Sequence, residues 1–272
     1  MNEITRIQNL FRKDSYHDAY RMQVISSLMR LHVNKAFSKR STAIQNVMGY
    51  RMAHLNLGTL CTLFDEIFVE GGYYIDLDAK RPEIVDCGSN IGMATLFFKK
   101  LFPECRITAF EPEPETFEIL SRNIAMNGLK DVRAYNAAVS NEEGEISFYS
   151  DPEVPGSGMM SMMDARSGMG RTQKVRTVKL SDYLDREIDL LKLDVEGAEH
   201  QVFQDLEGAK KMGLIKNMII EYHHHMNRNS DNLSHILGTL ENNGFGYQIA
   251  DTVRLPFEKN VYQVGLIYAY KK

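Results

Sequence analysis

The chain has 272 residues, 43% of them hydrophobic and 25% charged, with a net charge of −4 and a pI near 6.1. That is enough for one large, soluble α/β domain plus an appendage, and the acidic balance argues against a nucleic-acid partner held by bulk electrostatics. No apolar run approaches the ~20 residues of a membrane helix, and residues 1–15 lack the apolar core of a signal peptide, so no membrane span and a cytoplasmic location are expected.

From Ile4 to about Phe37 apolar residues recur at helical spacing (Tyr16, Tyr20, Val24, Leu28, Leu31), which predicts one or two amphipathic helices. A further helix is expected from Ala43 to Leu57, around Val47, Met48 and Tyr50. Residues 1–63 are therefore assigned to a helical appendage and 64–272 to the main domain. Arg30, His32, Lys35, Lys39 and Arg40 read as a solvated helix face rather than an anion site. Such an appendage has three uses: to cover the cofactor cleft, to shape the acceptor pocket, or to pair with a second subunit as a homodimer. Gly71 and Gly72 then predict a turn, with Tyr73 and Tyr74 opening a short strand-like piece.

The stretch Glu83 to Gly92, EIVDCGSNIG, reads as strand, tight turn and helix start. Ile84 and Val85 suit a buried parallel strand, Asp86 ends it, and Gly88 and Gly92 permit a sharp turn with close backbone approach to a ligand. A helix over Asn90 to Phe102 would point its free N–H groups at that ligand, and Pro103 would end it. The second strand, Arg106 to Phe110, runs into Glu111, about 25 positions after Asp86, where dinucleotide-type folds set an acid on the ribose hydroxyls. The third glycine of a GxGxxG fingerprint is absent. S-adenosylmethionine (SAM), which has no pyrophosphate, thus fits better than NAD, and a nucleotide-dependent oxidoreductase becomes the weaker alternative.

Pro114 is placed to open the next helix, with Phe117, Leu120 and Ile124 as its buried stripe and Gly128 at its C-terminal cap. Val132 to Asn136 is the third strand, and strand–helix alternation of this kind implies a parallel sheet. Glu145 to Tyr149 alternates as a hairpin strand. Ser150 to Arg171, rich in Gly, Ser and Met and without a period, is expected to be a mobile lid. Val175 to Val178 resumes as strand, and Ser181 is expected to cap a short helix ending near Asp185. Leu190 to Leu193 forms a strand ending in Asp194, with Glu196 and Glu199 within the following turn. Met218 to Ile220 leads to Glu221 and His223, which share a strand face. A helix over Ser230 to Leu240 and strands near Phe245 to Ala250 and Val261 to Tyr270 close the chain. Cys61, Cys87 and Cys105 lack CxxC spacing and read as buried free thiols rather than a zinc site or disulfides.

The blocks DCGSNIG, FEPEPETFEILSRN (Phe110 to Asn123) and DLLKLDVEGAE (Asp189 to Glu199), in this order, resemble the FkbM family of SAM-dependent methyltransferases. The resemblance covers roughly Phe64 to the C-terminus. It implies a class I, Rossmann-like α/β fold with a mostly parallel seven-stranded sheet, and a methyl group passed to a hydroxyl of a sugar, glycan or polyketide-like molecule. The cofactor contacts expected are Asp86, Gly88, Ser89, Asn90, Gly92, Glu111 and Asp194, with Asn136 at the adenine end. Asp194, Glu196, Glu221 and His223 are the expected catalytic cluster. Either His223 or a carboxylate removes the hydroxyl proton, or Asp194 and Glu221 hold a divalent cation such as Mg²⁺ that lowers the hydroxyl's pKa. A SAM-binding protein without catalysis, or one methylating a macromolecule, is the remaining alternative.

Overall fold

The structure is a computed structural model that describes residues 15–37, 44–150, 171–224, 232–251 and 263–272. The chain begins with helix α1 (Ser15–Phe37), then a hairpin of β1 (Ile44–Val47) and β2 (Tyr50–Ala53). The helix expected over Ala43 to Leu57 is therefore corrected. Met48 and Gly49 both take positive φ (53° and 90°), the pair of left-handed residues that a two-residue hairpin turn needs and that a helix excludes. Helix α2 (Leu57–Phe64) follows, its first amides capped by the Asn56 side chain, and continues as one π-helical turn over Asp65–Val69. No strand forms at Tyr73 and Tyr74.

The central sheet is assembled from β3 (Glu83–Cys87), β4 (Arg106–Phe110) and β5 (Val132–Tyr135) with helices α3 (Met93–Leu101) and α4 (Pro114–Met126) as crossovers. A small second sheet follows, made of β6 (Ala138–Ser140), β7 (Gly144–Ser150) and β8 (Arg171–Lys179). After it come β9 (Ile188–Leu193), α5 (Glu199–Gly208), β10 (Ile215–His224), α6 (Leu233–Asn242), β11 (Phe245–Asp251) and β12 (Gln263–Lys271). The order across the large sheet is β11-β12-β10-β9-β3-β4-β5, and β12 alone runs antiparallel to its neighbours. This is the seven-stranded, mostly parallel, Rossmann-like sheet that the resemblance implies. The order reverses between β3 and β9, so a crevice opens at their carboxyl ends, where ligands bind in open α/β sheets.

Local chemistry explains the elements. Pro114 stands at the first position of α4, the Glu113 side chain accepts from Thr116 N at 2.5 Å, and Gly128 (φ 58°) follows the helix end. Ser181 is not a helix cap. It lies inside a 3₁₀ turn over Leu180–Tyr183, where its hydroxyl donates to Asp205 at 2.7 Å. The three cysteines are free and buried. One core cluster joins Val24 and Leu31 of α1 to Ile84 of β3 and Phe97 of α3. The 63/64 division falls within α2, whose Phe64 stacks on Phe68, which packs edge-on against Phe97. The expected lid lies outside the described residues except at its ends, as do Lys39 and Arg40. Among the described residues no helix is long and apolar enough to cross a membrane.

Candidate functional site

The turn after β3 is held by the chain's own backbone. Gly88 and Ser89 N–H groups both donate to the Phe110 carbonyl (3.0 and 2.9 Å), which ties the turn to the end of β4. A Cβ at Gly88 would lie 1.7 Å from the Asp194 carbonyl oxygen, so the close approach that this glycine permits is to the end of β9. At Gly92 (φ 90°) a Cβ would meet Leu120 at 2.8 Å, and this glycine lets α4 pack against the turn. Asp86 is wholly buried, accepting from Thr95 Oγ1 at 2.9 Å and pairing with Lys192 at 3.5 Å. Neither Asp86 nor Gly92 lines the cleft.

Glu111 does line it, at the end of β4. Its two carboxylate oxygens accept from the backbone N–H of Asn90 and of Glu113, each at 2.9 Å. Burial pushes its carboxyl up to about 8, against the pull of those amides. Asn136 does not line the cleft. Its amide donates to the Glu111 and Pro112 carbonyls (both 2.9 Å), which fixes the strand end that carries Glu111.

The cleft is a cavity of about 550 Å³, within the range of small-molecule sites. It is lined by Gly88, Ser89, Asn90 and Glu111 and by Glu66, Tyr73, Asp194, Glu196, Glu221 and His223, with Gly88 packed directly against the Asp194 backbone. All four expected catalytic side chains thus face one space. Asp194 is there because β9 pairs with β3 up to Cys87 and Leu193, and its N–H donates to the Cys87 carbonyl at 3.1 Å. Glu221 and His223 come from β10, next in the sheet and on one face. Glu196 sits at φ 51°, a conformation that non-glycine residues adopt rarely and that bends the chain toward His223.

The His223 side chain is 1% exposed. Its Nδ1 lies 2.6 Å from Glu199, while its Nε2 faces Glu196 at 3.3 Å and Glu221 at 3.9 Å. Burial would lower its pKa, but the bond to Glu199 and the charges of Glu199, Glu196 and Asp194 raise it to about 10. The imidazole therefore holds its proton at neutral pH. Glu199, readable as a helix-start acid, is the residue that fixes the ring. Glu221 is pushed up to about 7, first by burial and then by Asp194. The oxygens of Asp194 and Glu196 and a ring nitrogen of His223 lie within 4.8 Å of one another, a spacing that suits a cation; Glu221, expected beside Asp194 in that role, is not in the group.

Three further residues belong to the site. The Tyr73 hydroxyl stands between Asp194 (3.2 Å) and Glu221 (3.1 Å), and burial and those carboxylates raise its pKa so that it remains a phenol donor. Nothing local to Gly71–Tyr74 signals this, because only the tertiary fold brings residue 73 to β9 and β10. Glu66, set by the π-helical turn, is raised to about 8 by burial of its surroundings and by Glu221, although its side chain is exposed to the cleft. Lys192 is 2% exposed and surrounded by Asp86, Asp194 and two carbonyls. The sequence does carry a signal for it: a lysine in the apolar run LLKL of a strand buried on both faces needs a partner.

The description "Methyltransferase FkbM domain" fits residues 86–247, more than half of the chain. Methyltransferase sdnD of Sordaria araneosa is 31% identical over 190 residues, covering 58% of this chain and 73% of that protein. The 2-O-methyltransferase NoeI of Sinorhizobium fredii (strain NBRC 101917 / NGR234) is 29% identical over 144 residues, covering 46% of this chain and 58% of that protein. The crystal structure of Methyltransferase FkbM from Methylobacillus flagellatus KT aligns at 14% identity with a TM-score of 0.46, over 94% of this chain and 61% of that one.

Proposed function

The chain belongs to the FkbM family of SAM-dependent methyltransferases, and from that premise we propose that it is an O-methyltransferase acting on a hydroxyl of a sugar, glycan or polyketide-like small molecule. The observation that carries this reading is the convergence of Asp194, Glu196, Glu221 and His223 in one cleft that the Gly88–Asn90 turn and Glu111 also line. NoeI, a 2-O-methyltransferase by name, supports oxygen as the accepting atom. SAM lies with its ribose hydroxyls on Glu111, which keeps lone pairs beyond the two amides it serves, and its methionine portion over the turn. The acceptor lies toward Glu66 and Tyr73.

The reaction is an in-line displacement. The acceptor oxygen forms a bond to the methyl carbon, the carbon–sulfur pair returns to sulfur, and the hydroxyl proton leaves to a base. Holding the oxygen behind the methyl supplies much of the rate. Glu221 takes the proton: its pKa near 7 suits transfer at neutral pH, whereas His223 already carries one. Asp194 and Glu196 orient the donor hydroxyl, and the His223 imidazolium offsets their charge.

A divalent cation is the second reading, favoured by the 4.8 Å grouping of Asp194, Glu196 and His223. There it would polarise the hydroxyl, and His223 would have to give up its proton to join it. Methylation of a panel of hydroxylated acceptors, followed by mass spectrometry, tests the function. With an acceptor in hand, Glu221→Gln should lower turnover about 10²–10⁴-fold while SAM binding is retained. Wild-type turnover in that variant would remove Glu221 as base. Loss of activity on chelation, restored by Mg²⁺, would favour the cation instead. Methylation confined to protein or nucleic acid would overturn the small-acceptor reading.

A further inference from the structure

The proposed reaction leaves one buried ionic group in the cleft without a role. Lys192 projects from β9 beneath the cleft, and its ammonium meets both sides of the sheet's reversal point. It donates to the Gly88 carbonyl at 2.6 Å and to the Cys87 carbonyl at 3.4 Å, both on the β3 side. Asp86 Oδ1, also on β3, lies at 3.5 Å, while on the β9 side the ammonium meets Asp194 Oδ2 at 3.2 Å, with the Tyr73 ring 5.3 Å away. Burial works against its charge, but Asp194, Asp86 and Glu221 more than offset this and hold it protonated.

A buried ammonium is costly unless it is paired and hydrogen-bonded, and among the described residues this one is satisfied by Asp86, Asp194 and the carbonyls of the turn. We propose that Lys192 is a positioning residue: its ammonium ties the glycine turn to Asp194 and balances the carboxylates under the cleft, so that this balance sets the site's preference between a sulfonium cofactor and its neutral-sulfur product. The inference rests on the reading that SAM lies over the Gly88–Asn90 turn with its sulfonium toward Asp194.

The geometry gives alternating signs. Lys192→Met removes a positive charge and leaves the floor more negative, which favours the cation SAM over S-adenosylhomocysteine (SAH). Asp86→Asn removes a negative charge and does the reverse. The double variant removes one of each and restores the balance. Calorimetric affinities for SAM and SAH read this directly. In Lys192→Met the SAM-over-SAH preference should rise about threefold to thirtyfold, the size of a unit charge acting across several ångströms of partly screened interior, even as SAH itself binds more weakly because the turn has lost its tie. In Asp86→Asn the preference should fall, and in Asp86→Asn/Lys192→Met it should return to within about twofold of wild type, since the net charge is unchanged.

If Lys192→Met does not fold, the comparison of Asp86→Asn with the double variant carries the same test, because the preference in the double must lie above that in the single. Equal weakening of SAM and SAH in every variant would reduce Lys192 to a structural group and overturn the inference while leaving the cofactor assignment intact. Wild-type protein that binds neither ligand would overturn the cofactor assignment, and this inference with it.

Discussion

Glu111 shows how one side chain serves fold and function together. Each of its oxygens already accepts a backbone amide, from Asn90 and Glu113, so the carboxylate shapes the turn before any ribose arrives. Glu111→Ala should weaken SAM binding about ten- to a hundredfold, the loss expected when a ribose partner is removed and two buried amides lose their acceptor. Calorimetry showing wild-type affinity would remove Glu111 from the cofactor site. The sequence exposes this residue well, because an acid ending the second strand has a position that the fold class dictates. It exposes Asp86 less well. Asp86 stands one residue before the end of β3, its side chain turns down onto Thr95 and Lys192, and no strand-end rule distinguishes an upward carboxylate from a buried one. Tyr73 is illegible for another reason: its partners lie 121 and 148 positions away.

At the scale of elements, the parallel core was readable because apolar strands, a proline at N1 and a capping glycine each have local causes. The N-terminal hairpin was not. Val47, Met48 and Tyr50 satisfy a helical period in a short window, and the pairing of β1 with β2 is decided by the left-handed Met48–Gly49 turn and by docking onto α4. That docking runs through Asn123, which is 1% exposed. Its side-chain amide donates to the Ala53 carbonyl (3.0 Å) and the Ile91 carbonyl (2.8 Å), and its oxygen accepts from Ala53 N (2.7 Å). Asn127 repeats the clasp on Arg51 at the exposed end. Asn123→Ala leaves several buried polar groups unpaired and should cost about 2–4 kcal/mol, with a matching drop in the urea midpoint. Since Ile91 lies in the cofactor turn, SAM affinity should fall as well. An unchanged midpoint would show that the hairpin docks by its apolar side chains alone.

Across the whole molecule the cleft concentrates groups whose loss of a proton opposes folding, so that their pH dependences share one direction. Burial first, then neighbouring carboxylates, raises Glu221 to about 7, and burial raises Glu111 to about 8, each from an ordinary value of 4.5. His223 rises from 6.5 to about 10 because Glu199, Glu196 and Asp194 outweigh burial. Glu66 shifts the same way, but its exposure to the cleft screens it, so its share is the smallest. A group whose folded pKa exceeds its unfolded one stabilises the fold fully below the unfolded value and loses that contribution as pH rises through the folded value. The carboxylates therefore withdraw stability between roughly pH 5 and 8, and the histidine between roughly pH 6.5 and 10. The signs agree, so the ligand-free protein should melt several degrees lower at about pH 9 than at about pH 6, each kcal/mol being worth roughly 2–4 °C in a chain of this size. SAM, with its sulfonium toward Asp194, brings a positive charge near Glu221, stabilises its ionised form and should flatten the slope. Calorimetric melting at three pH values, with and without SAM, checks both parts. A melting temperature that climbs from pH 6 to 9 without ligand would mean that water reaches Glu111 and Glu221 in the free protein. A slope unaltered by saturating SAM would mean that the sulfonium binds away from Asp194 and Glu221.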